Sequence, residues 1–266
     1  MMNSLFYEML SFNTHPCLVS EEYDGWLLRF AEGYTKRANS VNVIGISTLS
    51  VEEKIAYCEE KYVKHHLTPV FKIAPMALEL DIVLEKKGYS AVDKTNVMAV
   101  ELTEKETAPE KQNQKKQSTG NMKEDITVSI EEKFTEAWQY YYFTFNRVPV
   151  AAIPTAKKIQ AKITNPVLCA TVYADKKAVA CGLGVLEQEH VGLLDIVVKE
   201  EYRGCGFGKI LCRALLDKGK EKGASAGWLQ VVDSNEVAKK LYKSLGFEDV
   251  YSYWYRIKED SLLAKI

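Results

Sequence analysis

No stretch of this 266-residue chain approaches 18 consecutive apolar residues, the minimum for a helix that crosses a bilayer. The start, Met1 to His15, has no basic cluster ahead of an apolar core and carries Glu8, so no signal peptide is expected. Charge of one sign is also lacking: 35 Lys and Arg stand against 36 Asp and Glu, a formal net charge of −1. That balance gives no electrostatic footprint for nucleic acid or an anionic membrane, and neither is expected as a partner. The six cysteines, at 17, 58, 169, 181, 205 and 212, form no C-x-x-C pair. They are expected to be reduced thiols of a cytoplasmic protein, without disulfide or zinc. His15, His65 and His66 show no metal-ligand spacing, so no metal is expected.

One segment has almost no apolar residue. Thr103 to Asp125 is built of Lys, Glu, Gln, Asn, Ser and Thr and cannot bury enough surface to offset its ordering entropy. It reads as a polar linker at 103–125 between an N-terminal domain, 1–102, and a C-terminal domain, 126–266.

What is present is a glycine-rich turn. The apolar run Val191 to Val198 is followed by Tyr202-Arg203-Gly204-Cys205-Gly206-Phe207-Gly208-Lys209, and a periodic helix opens at about Gly206 and runs to Lys222. A helix start leaves N–H groups without intrahelical partners and carries partial positive charge, so it favours phosphate. Glycine admits positive φ and lets a ligand approach the main chain. No Gly-Lys-Ser/Thr closes the turn, which excludes a P-loop. The spacing G-x-G-x-G, followed by a strand that ends in Gln230-Val231-Val232, does not match the dinucleotide fingerprint.

Arg-x-x-Gly-x-Gly, at Arg203 to Gly208, resembles the pyrophosphate loop of the GNAT superfamily of acetyl-CoA-dependent N-acyltransferases. A second block agrees: strand Trp228 to Val232, then Asn235, Ala238, Leu241, Tyr242, Gly246 and Phe247 in the family's order and spacing. The resemblance covers roughly 126–258. It implies an α/β (α+β) fold, a mixed, mostly antiparallel sheet flanked by helices. Periodicity gives strands at Ile126–Ile130, Val167–Tyr173, Ala178–Glu187, Val191–Val198, Trp228–Val232 and Glu248–Ile257. Helices are expected over Glu132–Phe145 and Pro149–Ile163, the second interrupted or delayed by Pro154, and after Asn235.

The N-terminal half carries a fainter signal. Shifted by 158 positions, Gly88-Tyr89 falls on Gly246-Phe247 and Val70–Ala74 on Trp228–Val232. Both copies read strand, helix, Gly-aromatic, strand, as an internal repeat would, and two similar halves are expected. Ala77 stands where Asn235 stands and Leu84 where Tyr242 stands, so the first half is expected to be degenerate, without acyl-CoA apparatus. Asp24–Phe30 and Gly33–Val41 read as a hairpin whose Arg37, Asn39 and Ser40 face either a substrate or solvent.

Acetyl transfer to an amine needs a neutral amine, donors for the developing oxyanion and a proton for the departing thiolate. The resemblance implies that the main chain of Ile196, Val197 and Val198 binds pantetheine and polarises the thioester carbonyl. It further implies that Arg203, Gly204, Cys205, Gly206, Phe207, Gly208 and Lys209 hold the pyrophosphate, with Asn235 at the cofactor or as a helix cap. Tyr242 is the expected general acid, because a phenol of pKa about 10 roughly matches a thiol. For the base, Asp195 is preferred over Glu187, Glu189 and His190; Gln230 cannot take a proton. The expected activity is N-acetylation of a primary amine, on a small molecule or a protein N-terminus, with acetyl-CoA as co-substrate. The alternatives are a non-catalytic acyl-CoA sensor and a partner-binding protein; a homodimer is compatible with either.

Overall fold

Helices and strands follow one another in the order α1 (Met2–Thr14), β1 (Val19–Tyr23), β2 (Trp26–Phe30), β3 (Val41–Val43), α2 (Val51–Lys64), β4 (Val70–Ile73), α3 (Leu78–Lys86), β5 (Ser90–Glu101), β6 (Ile126–Glu131) and α4 (Glu136–Phe145). The chain continues with α5 (Ile153–Ala161), β7 (Val167–Ala174), β8 (Lys177–Glu187), β9 (His190–Val198), α6 (Phe207–Glu221), β10 (Ala226–Val232), α7 (Glu236–Lys243) and β11 (Glu248–Ile257). The structure is a computed structural model that describes residues 2–102 and 125–258. The expected linker lies outside the described residues except for Asp125.

Two compact units are interleaved along the sequence. One comprises Met1–Met98, Val148–Asn165 and Leu229–Ile266, the other Ala99–Arg147 and Pro166–Trp228. Strands β5 and β10 change unit part-way. The first unit has the strand order β1-β2-β3-β4-β11-β5, the second β10-β9-β8-β7-β6. Pairing is antiparallel for β1–β2, β2–β3, β4–β11, β6–β7, β7–β8 and β8–β9, and parallel for β3–β4. The fold is therefore mixed α/β, with mainly antiparallel strands flanked by helices. The C-terminal strand β11, grouped by sequence with 126–266, pairs with β4 (Trp254 with Ile73, Arg256 with Phe71).

Local chemistry sets the element ends. Thr135 accepts the Trp138 N–H at 3.3 Å as an N-cap, so α4 starts at Glu136, later than the expected Glu132. Trp138 then donates its indole N–H to the Ala170 carbonyl at 3.1 Å, pinning α4 to β7. Pro154 sits in the first turn of α5, where its missing N–H is no loss, and a short 3-10 turn precedes it. Asp24-Gly25 forms the hairpin turn between β1 and β2, with positive φ at both residues.

The segment 33–40, expected as a strand, is a loop around a 3-10 turn, Lys36–Ala38. Asn39 is the cause. Its fully buried side chain accepts the Ala31 and Gly33 N–H groups at 2.7 and 3.2 Å and donates to the Tyr34 and Thr35 carbonyls at 2.8 and 2.9 Å. Such side-chain bonds offer the backbone an alternative to a ladder. Asn39 and Ser40 are buried, so neither faces solvent as a surface-strand residue would.

The sheet of the first unit has two unlike faces. Trp26, Leu28, Val41, Phe71 and Ile73 pack against Ile55, Cys58 and Tyr62 of α2 and Leu80 and Leu84 of α3. The opposite face carries Asn42, Lys72 and Tyr255, which are cross-strand neighbours. Helices α3 and α7 end in the same way. Tyr89 N–H reaches the Leu84 carbonyl at 3.0 Å, and Phe247 N–H reaches the Tyr242 carbonyl at 3.1 Å. Gly88 and Gly246 adopt φ of 80° and 88° between them, the left-handed stop that glycine permits.

Arg256, at the end of β11, is 7% exposed and forks onto Asp81 of α3 through Nε at 2.7 Å and Nη2 at 2.9 Å. The Trp254 indole donates to the same carboxylate at 2.8 Å. The guanidinium hydrogen bonds hold the Asp81 carboxyl below the usual range, although burial opposes them. Asp81→Asn should cost about 2 kcal/mol of stability in urea unfolding, because it leaves a buried guanidinium short of its counter-charge. A carboxyl with a depressed native pKa stabilises fully above its unfolded pKa of about 4. The difference between wild type and variant should therefore shrink as pH falls through the lower native value.

Candidate active site

Strand β9 is irregular where it matters. Its pairing with β8 changes register between Leu183–Leu194 and Cys181–Val197, so one extra residue is accommodated in β9 opposite Gly182. Asp195 takes up the slack with φ of +53°. Gly182 makes the bulge fit: a Cβ there would lie 2.5 Å from Ile196 Cδ1 and 3.3 Å from Leu211 Cδ2. Sequence reasoning passed over Gly182, although a glycine inside a strand pattern is itself a bulge signal. Ile196, Val197 and Val198 follow the bulge, all half-buried, and lead into the turn. At the base of β9, the Ser225 and Ala226 N–H groups donate to the Glu189 carbonyl at 2.7 and 3.2 Å.

The turn itself has the conformation its glycines predict. Gly204 and Gly206 have φ of 78° and 87°, and nothing lies within 4 Å of where their Cβ atoms would be. Glycine is needed here for conformation and leaves open space. Gly206 is the N-cap of α6 and provides no side-chain cap. Its carbonyl accepts the Lys209 and Ile210 N–H groups at 3.0 and 3.2 Å. Among the described residues, the N–H groups of Gly204, Cys205, Gly206, Phe207 and Gly208 find no main-chain acceptor. They open a 15-residue helix anchored by the buried Phe207, Leu211, Cys212, Leu215 and Leu216. Arg203 is exposed and ties the turn to the strand by donating from Nε to the Val198 carbonyl at 3.3 Å. Lys209 is exposed on the first turn of the helix. The residues thus fit a pyrophosphate-bearing cofactor: a run of unengaged amides, room to reach them, and adjacent cations.

The thiols differ sharply. Burial pushes Cys169, Cys181 and Cys212 up to about 12, with the Asp195 charge adding to the shift at Cys181. Asp195 is half-buried. Cys205, in the turn, is exposed. No cluster of His, Cys, Asp or Glu able to hold a metal occurs among the described residues, and none of their helices is long and apolar enough to cross a membrane.

Asn235 and Tyr242 belong to the first unit. The Asn235 Oδ1 accepts the Ala238 N–H at 3.1 Å, so this residue caps α7. The loop before it is held by Asp233, which accepts from Asn96 at 3.0 Å and pairs with Lys239 at 3.1 Å. Tyr242 is the buried residue of α7, edge-on to Phe247 with ring centres 5.9 Å apart. Gln230 donates to the Ser11 hydroxyl and accepts from the Tyr253 hydroxyl, both at 3.0 Å.

Similarity to known proteins follows the same lines. The family described as "Probable histone acetyltransferase Rv0428c C-terminal" matches residues 7–256. The uncharacterized N-acetyltransferase YobR of Bacillus subtilis is 28% identical over 261 residues, 94% of this chain and 97% of that protein. A GCN5-related N-acetyltransferase from Kribbella flavida shares the fold with a TM-score of 0.70 at 12% identity, covering 98% of each chain. A tandem GNAT protein from the clavulanic acid biosynthesis pathway shares it with a TM-score of 0.60 at 12% identity, over 96% of this chain and 88% of that one. The chain belongs to the Rv0428c C-terminal acetyltransferase family and is a GNAT-type N-acetyltransferase.

Proposed function

We propose that the chain moves an acetyl group from acetyl-CoA to a primary amine, on a small molecule or a protein N-terminus. The observation that carries this reading is the turn 203–209, whose open glycines present successive main-chain amides at the start of α6. Those amides, with Arg203 and Lys209, would hold the pyrophosphate. The main chain of Ile196, Val197 and Val198, re-aimed by the bulge at Asp195, would hold the pantetheine arm and offer a fixed N–H donor to the carbonyl that gains charge. Acetyl-CoA, when bound, supplies an acyl carbon activated as a thioester. Tyr242 would keep a proton on its phenol oxygen for the departing thiol. Its place in the Asn-x-x-Ala-x-x-Leu-Tyr motif and its burial support that role. Asp195 would accept the amine's proton at its carboxylate.

The N-terminal half would be a second, degenerate copy of the same unit. The matched stops after Leu84 and Tyr242 support that descent, and Ala77 and Leu84 at the places of Asn235 and Tyr242 would explain the loss of acyl transfer there.

Calorimetry should give saturable acetyl-CoA binding; a chain with no affinity for coenzyme A or any acyl ester of it would end this reading. Gly206→Val forces a β-branched residue into the left-handed region and should weaken that binding at least about tenfold, or about 1.4 kcal/mol. Tyr242→Phe should keep the affinity but lower turnover about 100-fold in a thiol-release assay over an amine panel. Unchanged turnover in that variant would remove Tyr242 from the mechanism.

A further inference from the structure

Two lysines are buried among the described residues of the first unit. Lys72 is matched by Glu8 of α1 at 2.7 Å. Lys54, near the start of α2 and 0% exposed, lies 4.1 Å from the centre of the Trp26 ring and turns its ammonium to the tip of the β1–β2 hairpin. There it donates to the Asp24 carbonyl and the Ser47 hydroxyl and lies 3.4 Å from Asp24 Oδ2.

The loop 44–50, which joins β3 to α2, closes on the same aspartate. The Thr48 N–H lies 3.0 Å from each carboxylate oxygen of Asp24, and the Thr48 hydroxyl donates to Oδ1 at 2.8 Å. The Leu49 N–H donates to Oδ2 at 2.9 Å. Ser50 then caps α2 by accepting the Glu53 N–H at 3.3 Å. The Leu49 and Thr48 N–H groups, followed by the Thr48 hydroxyl and Lys54, hold the Asp24 carboxyl well below its usual range, against the effect of burial.

The second unit builds strand, loop and helix in the same order without such a carboxylate. Thr48 and Leu49 directly precede the N-cap Ser50; Gly204 and Cys205 directly precede the N-cap Gly206, and their N–H groups find no main-chain acceptor among the described residues. In each unit the residue after the strand donates its N–H to the neighbouring hairpin: Ile44 to the Gly25 carbonyl and Lys199 to the Val179 carbonyl, both at 2.9 Å. Gly25 is at the hairpin tip, which brings Asp24 onto the loop, whereas Val179 lies inside β8. The tip of that second hairpin carries Asp175, with φ of 47° against 43° at Asp24, and its carboxylate accepts the Asp125 N–H at 3.1 Å instead.

We propose that Asp24 is a built-in anion: its carboxylate fills, in the first unit, the kind of oxyanion seat that the turn 203–209 offers to a cofactor in the second. Two main-chain N–H groups, a hydroxyl and the Lys54 ammonium beside a helix start suit any small oxyanion. A carboxylate carried by the chain occupies them without the loss of translational freedom that a free phosphate meets. The contact is autoinhibitory: the first unit is barred to phosphate, and the chain takes up a single acetyl-CoA. The count of one rests on the reading of 203–209 as a pyrophosphate loop; the seat at Asp24 does not.

The test is chemical rescue in the full chain. Asp24→Gly keeps the positive φ and removes the carboxylate. It should melt below wild type, and formate or inorganic phosphate, against chloride at constant ionic strength, should raise its melting temperature saturably, by at least about twice the rise in wild type. A variant as stable as wild type overturns the proposal, and so do anions that shift both proteins equally, as binding at 203–209 alone would. Should Asp24→Gly fail to fold even with formate, Asp24→Asn decides: its amide keeps the seat filled but uncharged, so it should melt below wild type with no extra gain from formate, and a melting temperature equal to that of wild type overturns the proposal. Calorimetry of wild type should give about one acetyl-CoA per chain. A second equivalent overturns the proposal; no binding at all ends the reading of 203–209 and leaves the rescue to decide on Asp24.

Discussion

A main-chain N–H out of contact with water must find an acceptor, and regular structure in this chain is largely the answer to that demand. In the turn after β9 water takes the place of protein acceptors, because Gly204, Cys205 and Gly206 are exposed. The bulge at Asp195 breaks the ladder with β8, and among the described residues the N–H groups of five consecutive residues from Gly204 find no main-chain acceptor. The scaffold around this gap is conventional: α6 packs Leu211, Leu215 and Leu216 inward, and Trp138 fixes α4 to β7. Rigid packing on both sides lets a short stretch keep a geometry that it would not hold alone.

The first unit solves a different problem. Its apolar sheet face meets α2 and α3 and gains stability by excluding water. Its polar face is covered by α1, whose inward groups must be matched one to one, because a buried polar atom without a partner costs more than the bond would have gained. Arg29 serves this arrangement from one side: its guanidinium donates to carbonyls at the C-terminal end of α1, where the helix carries partial negative charge. A layer assembled in this way is specific in shape before it is strongly stabilising.

Legibility in the sequence followed the locality of the cause. Strands β7, β8 and β9, the turn at 203–209 and the cap at Asn235 are encoded by contiguous residues, and their periodicity or glycine spacing announced them. The pairing of β11 with β4 joins residues more than 180 positions apart, which no window of sequence contains. Helix α1 escaped because its buried positions mix Ser4, Glu8, Ser11 and Thr14 with Tyr7, Leu10 and Phe12, which blurs the apolar stripe that marks an inward face. The loop 33–40 read as a strand because the influence of Asn39 depends on where its amide points. Asp195 was singled out for its carboxylate; its unusual φ belongs to the register of two strands and not to its own side chain.

The matched polar groups under α1 also set its axial position. Greasy contacts tolerate sliding, since one leucine serves much like the next. If α1 slipped by one turn, about 5.4 Å, Ser4 would stand at the place of Glu8 and the Lys72 ammonium would lose its carboxylate; Tyr7 would replace Ser11 before Gln230. Each misplacement strands a charge or a hydrogen-bonding group, so the sequence admits a single seating of its first helix and rejects the neighbouring ones.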